Sequence, residues 1–189
     1  MATAMKPDRL HFTGNDEADA LLASDPFALL VGLALDQQVP VQTAFTGPLK
    51  LKQRLGTLDP GKIAATDPAE LEGVFREKPA VHRFPGNMAR RVQELAALVA
   101  ERYGGDASRV WREATDSEDL RRRIAELPGF GEMKIKAFSA ILAKRFGVAV
   151  ANDLAPSHPT LGDVDSPEAL ERYQALKREH KARMRADRG

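Results

Sequence analysis

The sequence has no cysteine. This absence excludes disulfides, and it also excludes the thiolate ligands of iron–sulfur clusters and of most structural zinc sites. Long apolar runs are missing as well, because the longest one, residues 27–35, is far shorter than the roughly 20 residues that a helix needs to span a bilayer. The opening residues, MATAMKPDRL, lack the apolar core of a secretory signal. We therefore expect a cytoplasmic protein without a membrane segment.

An excess of charge of one sign is also missing. The 28 Lys and Arg residues nearly balance the 27 Asp and Glu residues, for a net charge of +1. Composition alone therefore does not indicate nucleic acid binding, and any basic surface has to arise from uneven placement. Lys and Arg predominate in segment 172–188, which is predicted to be either a solvated helix face or part of a basic binding surface.

Apolar residues recur with helical spacing along nearly the whole chain. Only residues 146–151 (FGVAVA) resemble a strand, and that run is isolated. A capping residue followed by proline, which is typical of a helix start, occurs at Asp25-Pro26, Asp59-Pro60, Asp67-Pro68 and Ser166-Pro167. We predict an all-α protein with helices at 17–23, 26–35, 40–55, 60–65, 68–75, 88–103, 118–126, 132–146 and 167–185. Segments 76–86 and 147–165 are predicted to be irregular.

The turn 127–131 (LPGFG) separates two amphipathic helices, the first opened by a Thr115-x-x-Glu118 capping box. Gly129 and Gly131 are expected to allow positive φ and the close approach of a ligand. Backbone amides at the start of the second helix then face outward, which favours a phosphate oxygen. An ordinary helical hairpin with a glycine turn is the alternative interpretation.

Two segments together resemble a known family. Residues 127–142 (LPGFGEMKIKAFSAIL) resemble the helix-hairpin-helix motif of DNA-repair proteins. Residues 35–44 (LDQQVPVQTA), with adjacent Gln37 and Gln38, resemble a cleft segment of 3-methyladenine and 8-oxoguanine DNA glycosylases; on their own, the two glutamines could equally be helix caps. Over residues 26–185 the chain is similar to the HhH-GPD superfamily, and within it to small bacterial members.

The resemblance implies a two-lobed, all-α helix-hairpin-helix glycosylase fold. The central lobe would span residues 26–146 and contain the hairpin motif at 118–146, and residues 1–25 with 147–189 would form the second lobe. DNA contacts are implied at Gly129, Phe130, Gly131, Met133, Lys134, Gln37 and Gln38. A monovalent cation, K⁺ or Na⁺, is implied on the carbonyl oxygens of Ala125, Leu127 and Phe130. No iron–sulfur cluster or other cofactor is expected.

The family also implies one essential carboxylate at a helix entrance beyond the hairpin, which stabilises the cationic sugar as the base leaves. Asp163 ranks first, because it lies just before the Ser166-Pro167 helix start. Asp153 ranks second, because its spacing from the hairpin matches that of the family. Asp165 ranks third. Asp163 and Asp165 could instead cap the last helix.

Bifunctional members of the family carry a lysine nucleophile two residues after the second hairpin glycine. Met133 occupies that place here, and Lys134 is turned by about 100° from it on a helix. The resemblance therefore implies a monofunctional enzyme with water as the nucleophile.

Segment 78–86 (KPAVHRFPG) is basic, aromatic and rigid. We expect His82 and Arg83 to contact DNA, as part of a loop that touches phosphates or fills the gap left by a flipped base. We expect Phe84 to pack in the core. The other histidines show no metal-ligand spacing.

The predicted function is that of a monomeric, nucleoid-associated DNA glycosylase that removes a damaged base from duplex DNA without cutting the strand. A non-catalytic DNA-binding protein with the same hairpin is the first alternative. A helical interaction module that binds no nucleic acid is the second. A basic groove beside the hairpin would argue against the module, and a carboxylate in a pocket near it would favour the enzyme.

Overall fold

A computed structural model describes residues 6–189, and within that range the chain is helical without strands. The predicted all-α class is confirmed. The α-helices are α1 (Asp16–Ser24), α2 (Pro26–Leu35), α3 (Val41–Leu55), α4 (Pro60–Ala65), α5 (Pro68–Arg76), α6 (Pro85–Tyr103), α7 (Arg109–Arg112), α8 (Ser117–Ala125), α9 (Glu132–Arg145) and α10 (Pro167–Ala186). Two 3-10 helices, Ala149–Leu154 and Leu161–Asp163, lie within segment 147–165, which was predicted to be irregular.

Side-chain caps fix the starts of the helices. All four predicted Asp-Pro and Ser-Pro starts are confirmed, because each Asp or Ser side chain accepts a hydrogen bond from an amide of the first turn. The predicted capping box at Thr115 is wrong. Asp116 is the N-cap of α8, and its carboxylate accepts from the Asp119 amide at 2.8 Å. The short Asp116 side chain reaches the amides of the first turn, which have no acceptor within the helix. Thr115 therefore lies outside the helix.

Helix α2 forms the centre of the core. Its residues from Phe27 to Leu35 are buried, and it packs against α1, α3 and α6. The apolar residues that recur with helical spacing in α6, α8 and α9 are also buried. In α10 the apolar residues with this spacing are only partly buried. Leu170 is buried, Tyr173 is half-buried, and Leu176 is exposed because the end of α10 extends beyond the packed body.

One continuous set of buried apolar residues runs from Leu10 to Leu170. Both 3-10 helices pack on α9, and α1 packs on α2 and α3. The division into two lobes stays a prediction, and residues 1–5 of the predicted second lobe lie outside the described residues. No single helix in residues 6–189 has the length and apolar character needed to cross a bilayer; α1 and α2 would meet that criterion only as a pair bent by 114°.

Candidate nucleic-acid interface

The hairpin between α8 and α9 depends on Gly129 for its turn. Gly129 has φ +80°, a conformation that L side chains rarely adopt. Gly131 has φ −84° and is the N-cap of α9, so the expectation of positive φ at this glycine is wrong. A Cβ added to Gly131 would meet no atom within 4 Å. Its missing side chain therefore leaves open space at a helix N-terminus, where amides favour an anion.

The carbonyl groups of the hairpin differ in how they are used. The Phe130 amide donates to the Leu127 carbonyl at 3.1 Å. Within residues 6–189, the carbonyls of Ala125 and Phe130 accept no backbone hydrogen bond. Because these two oxygens are left without backbone partners, the hairpin fits a monovalent cation. The Phe130 ring itself is buried and lies edge-on to Phe138, so Phe130 offers only its main chain to a ligand.

Met133 and Lys134 point in different directions. Met133 is 86% exposed. The Lys134 ammonium instead turns toward α2 and donates to the Ala34 carbonyl at 3.1 Å. Burial lowers the pKa of Lys134 to about 8. Its side chain therefore joins α9 to the end of α2, and Met133 is the one that faces solvent beside the hairpin.

Arg91 on α6 connects the hairpin to the turn at Gln37 and Gln38, which follows α2 and which we call the glutamine turn. Its guanidinium donates to Oε1 of Gln37 at 2.8 Å. The same group lies against Gly129, where an added Cβ would come within 2.8 Å of the Arg91 Nε atom. The neighbouring Gln38 has φ 58°, which is uncommon for a residue other than glycine. The two segments that resemble glycosylases thus meet on one surface, through an arginine that sequence reasoning missed.

His82 is placed behind this surface rather than on it. Its ring is 1% exposed, and Nε2 lies 3.1 Å from the Leu35 carbonyl and 3.0 Å from the Gln37 carbonyl. Nδ1 accepts from the Phe84 amide at 3.0 Å, which assigns the proton to Nε2. Burial lowers the pKa of His82, although the backbone hydrogen bonds oppose that shift. A buried ring does not contact DNA directly, so His82 instead holds the glutamine turn against the start of α6.

Arg83 and Phe84 lie on the surface that His82 supports. Arg83 donates to the Gln38 carbonyl at 3.4 Å, and its guanidinium lies 4.9 Å from the centre of the Phe84 ring. Phe84 is 37% exposed, so the expectation that it packs in the core is wrong; the buried His82 ring takes the interior position instead. A cavity of about 450 Å³ opens beside these residues. Its polar lining consists of Gln37, Gln38, Asn87, Arg90, Arg91 and Glu94.

Asp163 lies at the far end of α9. Its carboxylate accepts from Lys144 and, at 2.8 Å, from the Thr160 amide, which completes a capping box. Burial raises the pKa of Asp163, but the hydrogen bonds from Lys144 and Thr160 outweigh burial and lower it below its ordinary value. At about 1.5 Å of rise per residue, Lys144 is about 15 Å along α9 from Lys134. Asp163 therefore does not lie at the hairpin.

The other two aspartates predicted from sequence are also remote from the hairpin. The Asp153 carboxylate accepts from the Ser117 hydroxyl at 3.2 Å. Ser117 begins α8, whose opposite end leads into the hairpin, about 12 Å further along at the same rise per residue. Asp165 is exposed between the second 3-10 helix and α10. The structure does not bring these carboxylates together with the glutamine turn.

Two acidic residues that sequence reasoning missed lie at this surface: Glu94, which is exposed and lines the cavity, and Asp36. Asp36 is half-buried at the C-terminal end of α2, directly before Gln37. Burial raises the pKa of Asp36, and the charges of Lys177 and Lys134 oppose that shift. Its carboxylate accepts no hydrogen bond from any of residues 6–189. The sequence signal was its position immediately before the paired glutamines.

Comparison with known proteins agrees with this geometry. A family model described as HhH-GPD superfamily base excision DNA repair protein matches residues 31–188. The matched range includes the glutamine turn, α6 and the whole hairpin. No curated protein and no solved structure matches the chain. On the extent of the family match and its all-helical fold, the chain belongs to the HhH-GPD superfamily of base excision DNA repair proteins.

Proposed function

We propose that this protein is a monofunctional DNA glycosylase that hydrolyses the N-glycosidic bond of a flipped, damaged base in duplex DNA. The observation that carries the proposal is the surface on which Arg91 joins the glutamine turn to the hairpin. Family membership supports DNA repair of the glycosylase type in general. We propose in addition that the damaged base is flipped out of the duplex and that the DNA strand is left intact.

The hairpin would bind a phosphate of one DNA strand. The N-terminus of α9 offers amides with open space in front of Gly131. A K⁺ or Na⁺ ion on the carbonyls of Ala125, Leu127 and Phe130 would supply positive charge at the same phosphate. The side chains of Arg83, Arg90 and Arg91 would contact further phosphates of the DNA backbone. The affinity for DNA should therefore fall steeply as the salt concentration rises.

The glutamine turn would face the flipped nucleotide. Gln38 is exposed in a strained backbone conformation, and such strain is common where a side chain is held for function. The exposed Phe84 ring beside it could stack against a base next to the gap. Arg90 and Arg91 outweigh the single acidic side chain of Glu94 in the cavity lining, which favours a polyanion over an apolar ligand.

Water would be the nucleophile. Met133 carries no amine, and it occupies the position at which bifunctional members have their lysine. In the hydrolysis, the bond between C1′ and the base nitrogen breaks and its electron pair leaves with the base. The water oxygen bonds to C1′, and one proton of that water is transferred to a general base of the protein. From there the proton passes to the departing nucleobase or to solvent. The phosphodiester bonds are untouched.

A panel of lesion duplexes tests this function. Labelled duplexes that carry uracil, hypoxanthine, alkylated or oxidised bases are incubated with the protein, and abasic sites are then cleaved with alkali. We expect cleavage that depends on the alkali step for at least one lesion. If no lesion is released although the protein binds duplex DNA, the non-catalytic hairpin protein is the better description; the remote positions of Asp153 and Asp163 favour that alternative.

A further inference from the structure

A glycosylase needs a negative charge beside C1′, because positive charge develops on the sugar as the base leaves. The inference that follows therefore rests on the proposed function. The carboxylate has to lie next to the DNA-binding hairpin. Asp153 and Asp163 bond to the ends of α8 and α9 that are remote from the hairpin, so the charge has to come from elsewhere.

Asp36 lies at the point where the end of α2, the glutamine turn and the start of α9 meet. It follows α2 directly and precedes Gln37, whose side chain accepts from Arg91. Lys134, in the first turn of α9, reaches the Ala34 carbonyl two residues before it. Asp36 is therefore held between the glutamine turn and the start of the hairpin's second helix.

The Asp36 carboxylate has no hydrogen-bond donor within residues 6–189, unlike the carboxylates of Asp153 and Asp163. It is half-buried, yet it accepts no hydrogen bond from any of residues 6–189, whereas Asp163 accepts from both Lys144 and Thr160. A partly buried carboxylate without partners is costly unless a ligand or water completes it. Both of its oxygens can therefore accept a hydrogen bond from a ligand or from water.

Charged and titratable groups from two helices face Asp36. Lys134 comes from α9, and Lys177 and Tyr173 come from α10. The Lys177 ammonium lies 5.7 Å from the centre of the Tyr173 ring. The two lysine charges favour the ionised form of Asp36 against the effect of its burial. Burial outweighs the two lysine charges, so the pKa of Asp36 remains above its ordinary value. When the carboxylate is ionised in this partly dry site, its field acts more strongly than it would in bulk water.

We propose that Asp36 is the carboxylate that stabilises the sugar cation and receives a proton from the attacking water. When the bond between C1′ and the base nitrogen breaks, the electron pair leaves on the base. Water then adds to C1′, one of its protons passes to the Asp36 carboxylate, and solvent later removes that proton. Lys134 is a positioning residue in this account, because its ammonium is already bound to the Ala34 carbonyl and fixes the end of α2.

A binding experiment tests Asp36 without knowledge of the lesion. Two duplexes are compared: one with a neutral tetrahydrofuran abasic analogue and one with a pyrrolidine analogue that carries a positive charge near C1′. Wild-type protein should bind the cationic duplex about tenfold or more tightly, the range of a hydrogen bond to a charged group. Asp36→Asn should lose that preference, and Asp36→Glu should keep part of it. Asp163→Asn and Asp153→Asn are the matched controls and should retain it.

The possible results distinguish failure of the proposed glycosylase function from failure of the proposed role of Asp36. If wild type does not prefer either abasic duplex to intact DNA, both the proposed glycosylase function and the role of Asp36 are overturned. If it prefers abasic DNA but shows no preference for the cationic analogue, the role of Asp36 alone is wrong. The same holds if Asp36→Asn keeps the preference or a control variant loses it. Thermal unfolding of Asp36→Asn should match wild type, because no hydrogen bond to its carboxylate is lost.

A second measurement tests the positioning role of Lys134. In Lys134→Met the charge that favours ionised Asp36 is removed, while the charge of Lys177 remains. The acidic limb of the pH profile for base release should then move to higher pH, because the carboxylate becomes harder to ionise. A merely structural role would lower the rate at every pH and leave the limb in place, and that result would contradict the assignment of Lys134.

Discussion

Replacing Gly131 by aspartate should separate folding from DNA binding. Gly131 is the N-cap of α9 and has ordinary negative φ, and its added Cβ would meet open space. Aspartate is a better N-cap than glycine, and its charge suits the positive end of the helix. The free energy of unfolding should therefore stay within about 0.5 kcal/mol of wild type or rise slightly.

DNA binding by the same variant should be severely reduced. The new carboxylate would occupy the space in front of the α9 amides, where a phosphate is proposed to bind. Two like charges about 4 Å apart repel by about 1 kcal/mol in water and by about 4 kcal/mol near a protein surface. These energies correspond to losses in affinity of roughly fivefold to a thousandfold, at about 1.36 kcal/mol per factor of ten.

Gly131→Asn is the matched control, because it has nearly the same size and capping ability without the charge. Fluorescence anisotropy with a labelled duplex measures affinity, and thermal unfolding measures stability. Asparagine should weaken binding much less than aspartate, and the gap between them should shrink as salt is added. If both variants bind as wild type does while remaining folded, the hairpin is only a connector between two helices and the proposed phosphate site is wrong.

Three further predictions concern other parts of the site. Gly129→Ala should lower the free energy of unfolding by about 1–2 kcal/mol, because alanine is strained at φ +80°, and the unfolding midpoint should fall by about 2–8 °C in calorimetry. Asp163→Asn should cost about 0.5–1.5 kcal/mol of stability through the bonds to Lys144 and Thr160 but leave base release unchanged. Because the pKa of Asp163 is lowered in the folded state, its contribution to stability should be present above the ordinary pKa of aspartate and vanish as pH falls through the lowered value. A hundredfold loss of base release in Asp163→Asn would instead make Asp163 catalytic. Borohydride added during turnover should trap no protein–DNA adduct, since Met133 forms no imine, and a trapped adduct would overturn the monofunctional assignment.

Helix boundaries were predictable because local chemistry determines them. Proline after a capping residue marks a helix start independently of the rest of the fold, and the predicted bounds of α2 and α4 agree with the structure at both ends. Segment 147–165 was harder to predict, because its 3-10 helices depend on packing against α9 and have no helical period of their own. Helix α7 was missed for a similar reason, since a single turn is too short to show periodicity.

The glutamine turn and the hairpin turn could be found in the sequence, but their connection could not. Arg91 belongs to a helix whose apolar face is its obvious sequence feature, and nothing local indicates that its guanidinium reaches both Gln37 and Gly129. The same limit applies to Asp36, because Lys134 and Lys177 approach it from distant parts of the chain. Sequence spacing from the hairpin pointed to Asp153 and helix entry pointed to Asp163, yet both carboxylates already bond to other side chains.

The most direct test of the central claim is the salt dependence of binding by Arg91→Met. Affinity for a duplex with a tetrahydrofuran abasic site is measured over a range of salt concentrations for wild type, Arg91→Met and the control Arg112→Met, whose arginine is paired with Asp106 on another face. If Arg91 unites the two turns on one DNA-binding surface, its loss should weaken binding by about tenfold or more and reduce the salt slope by about 1. The control should match wild type. An Arg91 variant that binds with wild-type affinity and slope would contradict the account.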